Sequence, residues 1–213
     1  MELSEIMRTN GTCRFYKPNP VPDEILAQVL DASRWGPSGG NRQPLRFIAV
    51  RDQKKKKALK DLYLPIWNSY LEGVNSGENR VGGRSKIIED ADHFANHLHE
   101  IPILLVVCAR LADVHPTDAD LDRLSIVGGA SIYPALQNVL LAARARELGT
   151  ALTTLLCVVE PQVKDLLGVP EDVSTAAMVT IGWPANPFPK KLTRRPLAEF
   201  AFTDHYNEGA LSS

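Results

Sequence analysis

Cysteine and net charge are both scarce in this chain, and each scarcity removes a class of answer. The three cysteines among 213 residues, Cys13, Cys108 and Cys157, lie far apart and form no CxxC pair. That argues against a disulfide framework or a cysteine-rich zinc module. Cys108 and Cys157 sit in apolar runs and are predicted to be small core residues, as suits a reducing compartment. A formal net charge of −1 gives no reason to expect nucleic acid or an anionic membrane as partner. No apolar run approaches the ~20 residues of a membrane-spanning helix. The opening Met1-Glu2-Leu3-Ser4-Glu5 lacks the basic-then-apolar order of a signal peptide. A cytoplasmic location is the expectation. The two commonest nucleotide loops, GxGxxG and GxxxxGK followed by Ser or Thr, are missing, as is a GxSxG elbow. No cysteine has a neighbouring histidine, so a hydrolytic nucleophile has little support.

What is present is a chain with 44% apolar and 23% charged residues, the composition of a globular protein with room for one substantial core. The most distinctive stretch is Trp35-Gly36-Pro37-Ser38-Gly39-Gly40-Asn41-Arg42-Gln43-Pro44. Prolines bracket it and glycines fill its middle, so its backbone can pass close to a flat ligand and turn amides towards it. Asn41 and Gln43 each carry a donor and an acceptor, the equipment for reading a heterocycle's edge. The same residues also suit an ordinary helix-to-strand loop with Asn41 as a cap, and composition alone does not separate the two.

Along the chain, Leu3 to Arg8 is a short helix. Pro22 with Asp23 and Glu24 opens a second helix, carried by Ile25, Leu26, Val29 and Leu30 and stopped at Gly36-Pro37. Leu45 to Val50 is a strand. The lysines 54 to 57 read as a solvated helix face. From Leu64 to Asp92 the periodicity fails and glycines punctuate a polar run, which reads as a variable excursion or lid. His93 and His97 share a helical face at metal-ligand spacing, but Phe94 stands where an HExxH glutamate would be, so no metal is expected. Ile101 to Ala109 is a strand buried on both faces. A long apolar helix starts near Gly128-Gly129 and stops at Gly149; it is either the central core helix or part of a dimer contact. Leu152 to Val159 is a strand, Pro161 to Leu167 a short helix, and Ala176 to Trp183 the last strand. The proline-rich tail holds Lys190, Lys191, Arg194 and Arg195, either a solvated linker or an arm that brings charge to a phosphate.

Taken together these features resemble the FMN-dependent nitroreductase family over nearly the whole chain. The resemblance rests on Val21-Pro-Asp-Glu-Ile-Leu leading into Ala32-Ser-Arg-Trp-Gly-Pro-Ser-Gly-Gly-Asn-Arg-Gln-Pro-Leu-Arg-Phe. It continues in Asn138-Val-Leu-Leu-Ala-Ala up to Leu148-Gly149 and closes with Ile181-Gly-Trp-Pro184 and Lys191-Leu-Thr-Arg194-Arg-Pro. It implies one α+β domain over 1–213, a mostly antiparallel central sheet flanked by helices, an intertwined homodimer, and a C-terminal arm over about 184–213. It also implies FMN as cofactor, NAD(P)H as co-substrate, a ping-pong cycle, and small electron-poor aromatics, nitroaromatic or quinone-like, as acceptors. By position, Pro37, Ser38, Gly40, Asn41 and Gln43 form the flavin-ring loop supplied by one subunit. Thr12 and Arg14 match the N-terminal motif, with Arg14 as electrostatic support. Thr154 and Leu155 present backbone amide towards flavin N5, and Lys191 and Arg194 face the phosphate. The motif's leading arginine falls on Asn10, so Arg8 is expected to stand in from one turn away. The loss leaves a non-enzymatic flavin-sequestering protein as one alternative to a nitroreductase, and because the same fold hosts other reactions a reductive dehalogenase is another. His93 and His97 leave a metal-dependent hydrolase as a third.

Overall fold

The structure, a computed structural model, describes residues 1–75 and 85–212. Its centre is β2 (Ile103–Arg110), whose burial is unbroken up to its last residue. Because strand side chains alternate, Ile103, Leu105 and Val107 face one layer of helices while Leu104, Val106 and Cys108 face another. A continuous run of branched residues is what such a doubly covered strand needs.

Beside β2 lie β1 (Leu45–Val50) and β4 (Val173–Gly182), and β3 (Gly149–Thr153) closes the far edge. The order is β1-β2-β4-β3, with every pairing antiparallel and a register shift between Val107 and Cys108. On the first face, Val21, α2 (Asp23–Asp31) and α5 (Tyr133–Ala145) cover Ile103, Leu105, Val179 and Ile181 with Leu26, Val29, Leu136 and Val139. On the second face, α3 (Gln53–Asn75), α4 (Ser85–Asn96) and α6 (Glu160–Leu167) contribute Leu59, Tyr63, Trp67, Phe94 and Val163. The remaining helix, α1 (Leu3–Thr9), packs on α5. The expected α+β architecture is therefore present, and among the described residues no helix is long and apolar enough to cross a membrane.

Four expectations need correction. Most of the presumed excursion is helix, because α3 runs through Pro65 to Asn75 and α4 begins at Ser85. Proline in mid-helix costs a hydrogen bond and crowds the preceding turn. Here the core contacts of Tyr63 and Trp67 hold the helix on either side, and Trp67 Nε1 donates to Asp92 Oδ1 at 2.9 Å, tying α3 to α4. The glycines at 77, 82 and 83 and the arginines at 80 and 84 lie outside the described residues. Second, the lysine run is not uniformly solvated: Lys56 is 6% exposed and its Nζ donates to Ile101 O at 2.7 Å. Third, α5 ends at Ala145, and Glu147 (φ 60°) turns the chain so that Gly149 begins β3 instead of stopping the helix. Fourth, the strand predicted to reach Val159 stops at Thr153. Thr153 Oγ1 accepts from Leu155 N at 3.3 Å, and Leu155–Val159 coils as a 3-10 turn that buries Leu156 and leaves Cys157 only half-buried.

Gly149 is where the chain ends come together. A Cβ there would lie 2.5 Å from Cys13 Sγ and 2.7 Å from Cys13 Cβ, so only glycine lets the N-terminal segment lie along β3. Gly149→Ala is expected to cost about 1–3 kcal/mol in urea unfolding, the range for overpacking a tight contact. Unchanged stability in that titration would show that Cys13 can move aside.

Candidate functional site

The segment from Thr12 to Lys17 is held like an added strand. Thr12 bridges Thr150, Tyr16 bridges Pro184, Cys13 N donates to Thr150 O at 2.8 Å and Lys17 N to Trp183 O at 2.8 Å. The buried Tyr16 hydroxyl lies 2.6 Å from Thr180 Oγ1 and donates to Cys13 O at 2.9 Å. Burial pushes its phenol well above the ordinary range, so it stays a neutral pin. Arg14 is thereby placed between two cavities. One, of about 190 Å³, is lined by Thr12, Arg14, Tyr63, Trp67, Thr153 and Leu155 among others. The other, of about 170 Å³, joins Arg14 to Asp90, Phe188 and Pro189. Burial likewise raises the Tyr63 phenol, opposed by its bond to Thr153 and by the Arg14 charge. Thr12, Arg14 and Leu155 do converge as the resemblance implies, with Thr154 adjacent, exposed and opening the 3-10 turn.

The second group is the loop before β1. Gly36 fits because a Cβ would overlap the Ala135 backbone, which seats the loop on α5. Gly40, Asn41 and Gln43 have φ of 58°, 52° and 50°, a left-handed conformation that is natural for the glycine, tolerated by asparagine and strained for the glutamine. The strain is held in place: Gln43 N donates to Ser38 Oγ at 2.8 Å, Asn41 N to Ser38 O at 2.9 Å, and Gln43 Nε2 to Asn41 Oδ1 at 3.1 Å. A two-amide pair locked in an exposed, strained turn is more than a connection from helix to strand needs. Pro37, Ser38 and Gly40 line a cavity of about 520 Å³ with Arg42, His115 and Ser131.

One chain does not bring these two groups together. The loop precedes β1 and the Thr153–Leu155 turn follows β3, the two edge strands; three strand spacings separate them, roughly 14 Å. Of the predicted phosphate contacts, Lys191 and Arg194 are exposed on the arm, and Arg8 is exposed on α1. Leu192 N donates to Arg8 O at 3.1 Å, so the arm is laid directly against that helix. No ion pair among the described residues involves Arg8, Lys190, Lys191, Arg194 or Arg195. Exposed cations without a carboxylate partner among the described residues, on an arm laid against α1, are a donor set whose chemistry fits a phosphate.

The histidines do not form a ligand set. His93 stacks on His97 at 4.0 Å and on Phe15 at 4.7 Å, and His97 Nδ1 lies 2.8 Å from His93 O. Among the described residues no three His, Cys, Asp or Glu side chains converge on a metal-sized point.

Two features went unread in the sequence. Tyr63, Trp67 and Tyr70 form an aromatic wall beside Arg14; their i, i+4, i+7 spacing was the signal, masked by Pro65. The other is Asp118, only 4% exposed, which organises the segment between β2 and α5. Its carboxylate accepts from Ser125 Oγ at 2.7 Å, Arg123 Nη1 at 2.7 Å, Ile126 N at 3.0 Å and Val127 N at 3.4 Å. The Ser125 bond first, then the backbone and Arg123 bonds, hold its pKa far below the usual carboxylate range. Such an isolated aspartate in a polar loop has no pattern to mark it.

A four-stranded antiparallel sheet with helices on both faces, edged by a strained amide loop and a pocket that contains Arg14, defines an α+β protein. The profile of the Nitroreductase family matches residues 8–183, and the chain belongs to that family. It is an oxidoreductase by that membership. It is similar to the 5,6-dimethylbenzimidazole synthase of Rhodospirillum rubrum, 28% identical over 88% of this chain and 84% of that one. Among solved structures, an oxidised iodotyrosine deiodinase bound to FMN and 3-iodo-L-tyrosine superposes with a TM-score of 0.73 at 22% identity, over 96% of this chain and all of that one. An NADPH:FMN oxidoreductase from Vibrio harveyi complexed with NAD+ gives 0.68 at 20% identity, over 97% and 78%.

The Asp118 anchor makes a prediction with a definite sign. A carboxyl whose pKa is depressed on folding stabilises above its unfolded value, near 3.9, and that contribution is lost as pH falls towards the folded value. Urea midpoints of the wild type should fall below about pH 4 more steeply than those of Asp118→Asn, which should already be less stable at pH 7. Parallel pH profiles for the two proteins would remove the anchor.

Proposed function

We propose that this chain acts as a single cytoplasmic domain in a homodimer, binds FMN, takes reducing equivalents from NAD(P)H and passes them in ping-pong order to a small electron-poor aromatic, nitroaromatic or quinone-like. The observation that carries this reading is the division of the site. The amide loop and the Arg14 pocket each look like half of a flavin seat, and they lie at opposite edges of one sheet. A second copy related by a two-fold axis would set the loop of one against the pocket of the other, twice. Large exposed apolar residues support such a contact: Trp35 is 76% exposed, Leu124 85% and Ile126 76%.

Bound FMN supplies the ring that accepts hydride and returns electrons. The residues do the rest. Arg8, Lys191 and Arg194 hold the phosphate, with the Thr12 hydroxyl beside them. The Arg14 guanidinium favours negative charge at the ring's carbonyl edge. Of the backbone amides at Thr154 and Leu155, that of Thr154 would face ring N5 or O4, since Leu155 N already donates to Thr153 Oγ1. The loop of the second copy, through Pro37, Ser38, Gly40, Asn41 and Gln43, closes over the ring. Tyr63 and Trp67 keep water from the pocket floor. Nucleic acid and membrane have no role in this account.

A second reading, reductive dehalogenation, is favoured by the likeness to the deiodinase, since that protein binds an iodinated aromatic on the same fold. Three measurements decide. Purified protein should be yellow or take up added FMN, and should oxidise NAD(P)H anaerobically with a nitroaromatic, giving parallel double-reciprocal lines. Turnover of a halophenol alone would move the function to dehalogenation, and flavin binding without any turnover would leave a sequestering protein. Arg14→Ala should lower the flavin's potential, by about 30 mV for each tenfold loss in relative stabilisation of the reduced state; an unchanged potential would remove Arg14 from that role.

A further inference from the structure

The family's leading arginine is Asn10 here, and Arg8, whose carbonyl accepts from the arm and whose side chain is exposed, is not the sole cation near that position. A different cation reaches the same place from α5. Arg144 is 6% exposed, its Nε donates to Thr9 Oγ1 at 3.1 Å, and that hydroxyl in turn donates to Glu5 O at 2.8 Å. Its guanidinium carbon lies 3.8 Å from the centre of the Phe188 ring on the arm. No carboxylate among the described residues pairs with it.

Burying a cation is costly unless something opposes its charge, and a hydroxyl and an aromatic face do so only in part. The remaining positive charge is fixed one residue from Asn10. The neighbouring contacts show what it holds. Beyond Phe188, the Pro189 ring packs on Gly11, where a Cβ would come within 2.8 Å of Pro189 Cγ, and Leu192 N bonds Arg8 O. Phe188, Pro189 and Leu192 are therefore seated on Arg144, Gly11 and Arg8 respectively. Lys190 and Lys191 fall between these anchors in the chain and Arg194 two residues after Leu192, so the seating of Phe188, Pro189 and Leu192 fixes the backbone that carries these exposed cations.

We propose that Arg144 is a positioning residue for phosphate recognition. By stacking on Phe188 it docks the C-terminal arm, and its buried charge compensates for the arginine that Asn10 lacks. The phosphate is that of FMN, so this inference rests on the flavin reading above.

The test uses full-length apoprotein in wild-type, Arg144→Gln, Arg144→Lys and Phe188→Leu forms, each checked for native circular dichroism. Dissociation constants for FMN and for riboflavin, which lacks the phosphate, come from flavin fluorescence. Tryptic cleavage after Lys190, Lys191 and Arg194 reports the seating of the arm. Arg144→Gln and Phe188→Leu should cut the preference for FMN over riboflavin about tenfold, the scale of one lost charge-assisted contact, and should speed cleavage in the arm several-fold. Arg144→Lys, which keeps the charge without the flat stacking face, should recover part of the FMN preference. Equal weakening towards both flavins, or an arm cleaved at the wild-type rate in both disruptive variants, would overturn the proposal. If Arg144→Gln does not fold, Phe188→Leu alone carries the decision, because Phe188 is only half-buried. If the wild type binds neither flavin, it is the FMN reading that fails, and arm cleavage still decides whether Arg144 anchors it.

Discussion

The order of the strands is the constraint on which the rest depends. With β2 and β4 in the middle and β1 and β3 outside, whatever follows β3 and whatever precedes β1 must sit on opposite edges. Both edges carry unusual chemistry: a turn strained at Gly40, Asn41 and Gln43 on one, and Arg14 among aromatic side chains on the other. Strain of that kind persists only where surrounding bonds over-determine it, as the Ser38 and Gln43 bonds do here. In the proposed dimer the two edges complete one another, the amides meeting the ring's edge and Arg14 its negative charge.

The N-terminal segment supplies the second dependency. It joins the sheet by two bridges rather than as a full strand, so its position relies on a few specific contacts: glycine at 149, the Tyr16 hydroxyl between Cys13 and Thr180, and the Phe15 ring against His93. These fix Thr12 and Arg14 beside the turn after β3. The histidines that on spacing alone resemble metal ligands serve instead as part of this packing, His93 near the end of α4 stacking on His97 just beyond it.

Much of this was legible in the residues. β1 was read with its observed ends, and α2, α6, β2 and β4 within a few residues, because their apolar periodicity matches their burial. What failed did so where long-range contacts override local preference. Pro65 breaks helix periodicity on paper, yet Tyr63, Trp67 and Asp92 hold α3 together through side chains that no local pattern links. In the sequence Lys56 is indistinguishable from its neighbours, and only folding brings Ile101 O, 45 positions away, to accept its hydrogen bond. Leu155 and Leu156 continue an apolar run but turn away because Thr153 caps the strand. The loop was the most readable part of the site, since proline, glycine and paired amides mark it directly. Asp118 and Arg144 were the least, being single polar residues whose partners are assembled only by folding.

The most direct test of the central claim is complementation between two half-sites. Arg14→Glu should damage the pocket and Asn41→Trp should block the loop, so each variant alone should bind little FMN. Unfolded and refolded together, the two chains pair at random, and a mixed pair holds one seat built from an undamaged pocket and an undamaged loop. About a quarter of the seats in the mixture should then bind FMN with wild-type affinity, as follows from two-fold pairing. A mixture that binds no more FMN than its separate components would show that the seat is not shared between chains.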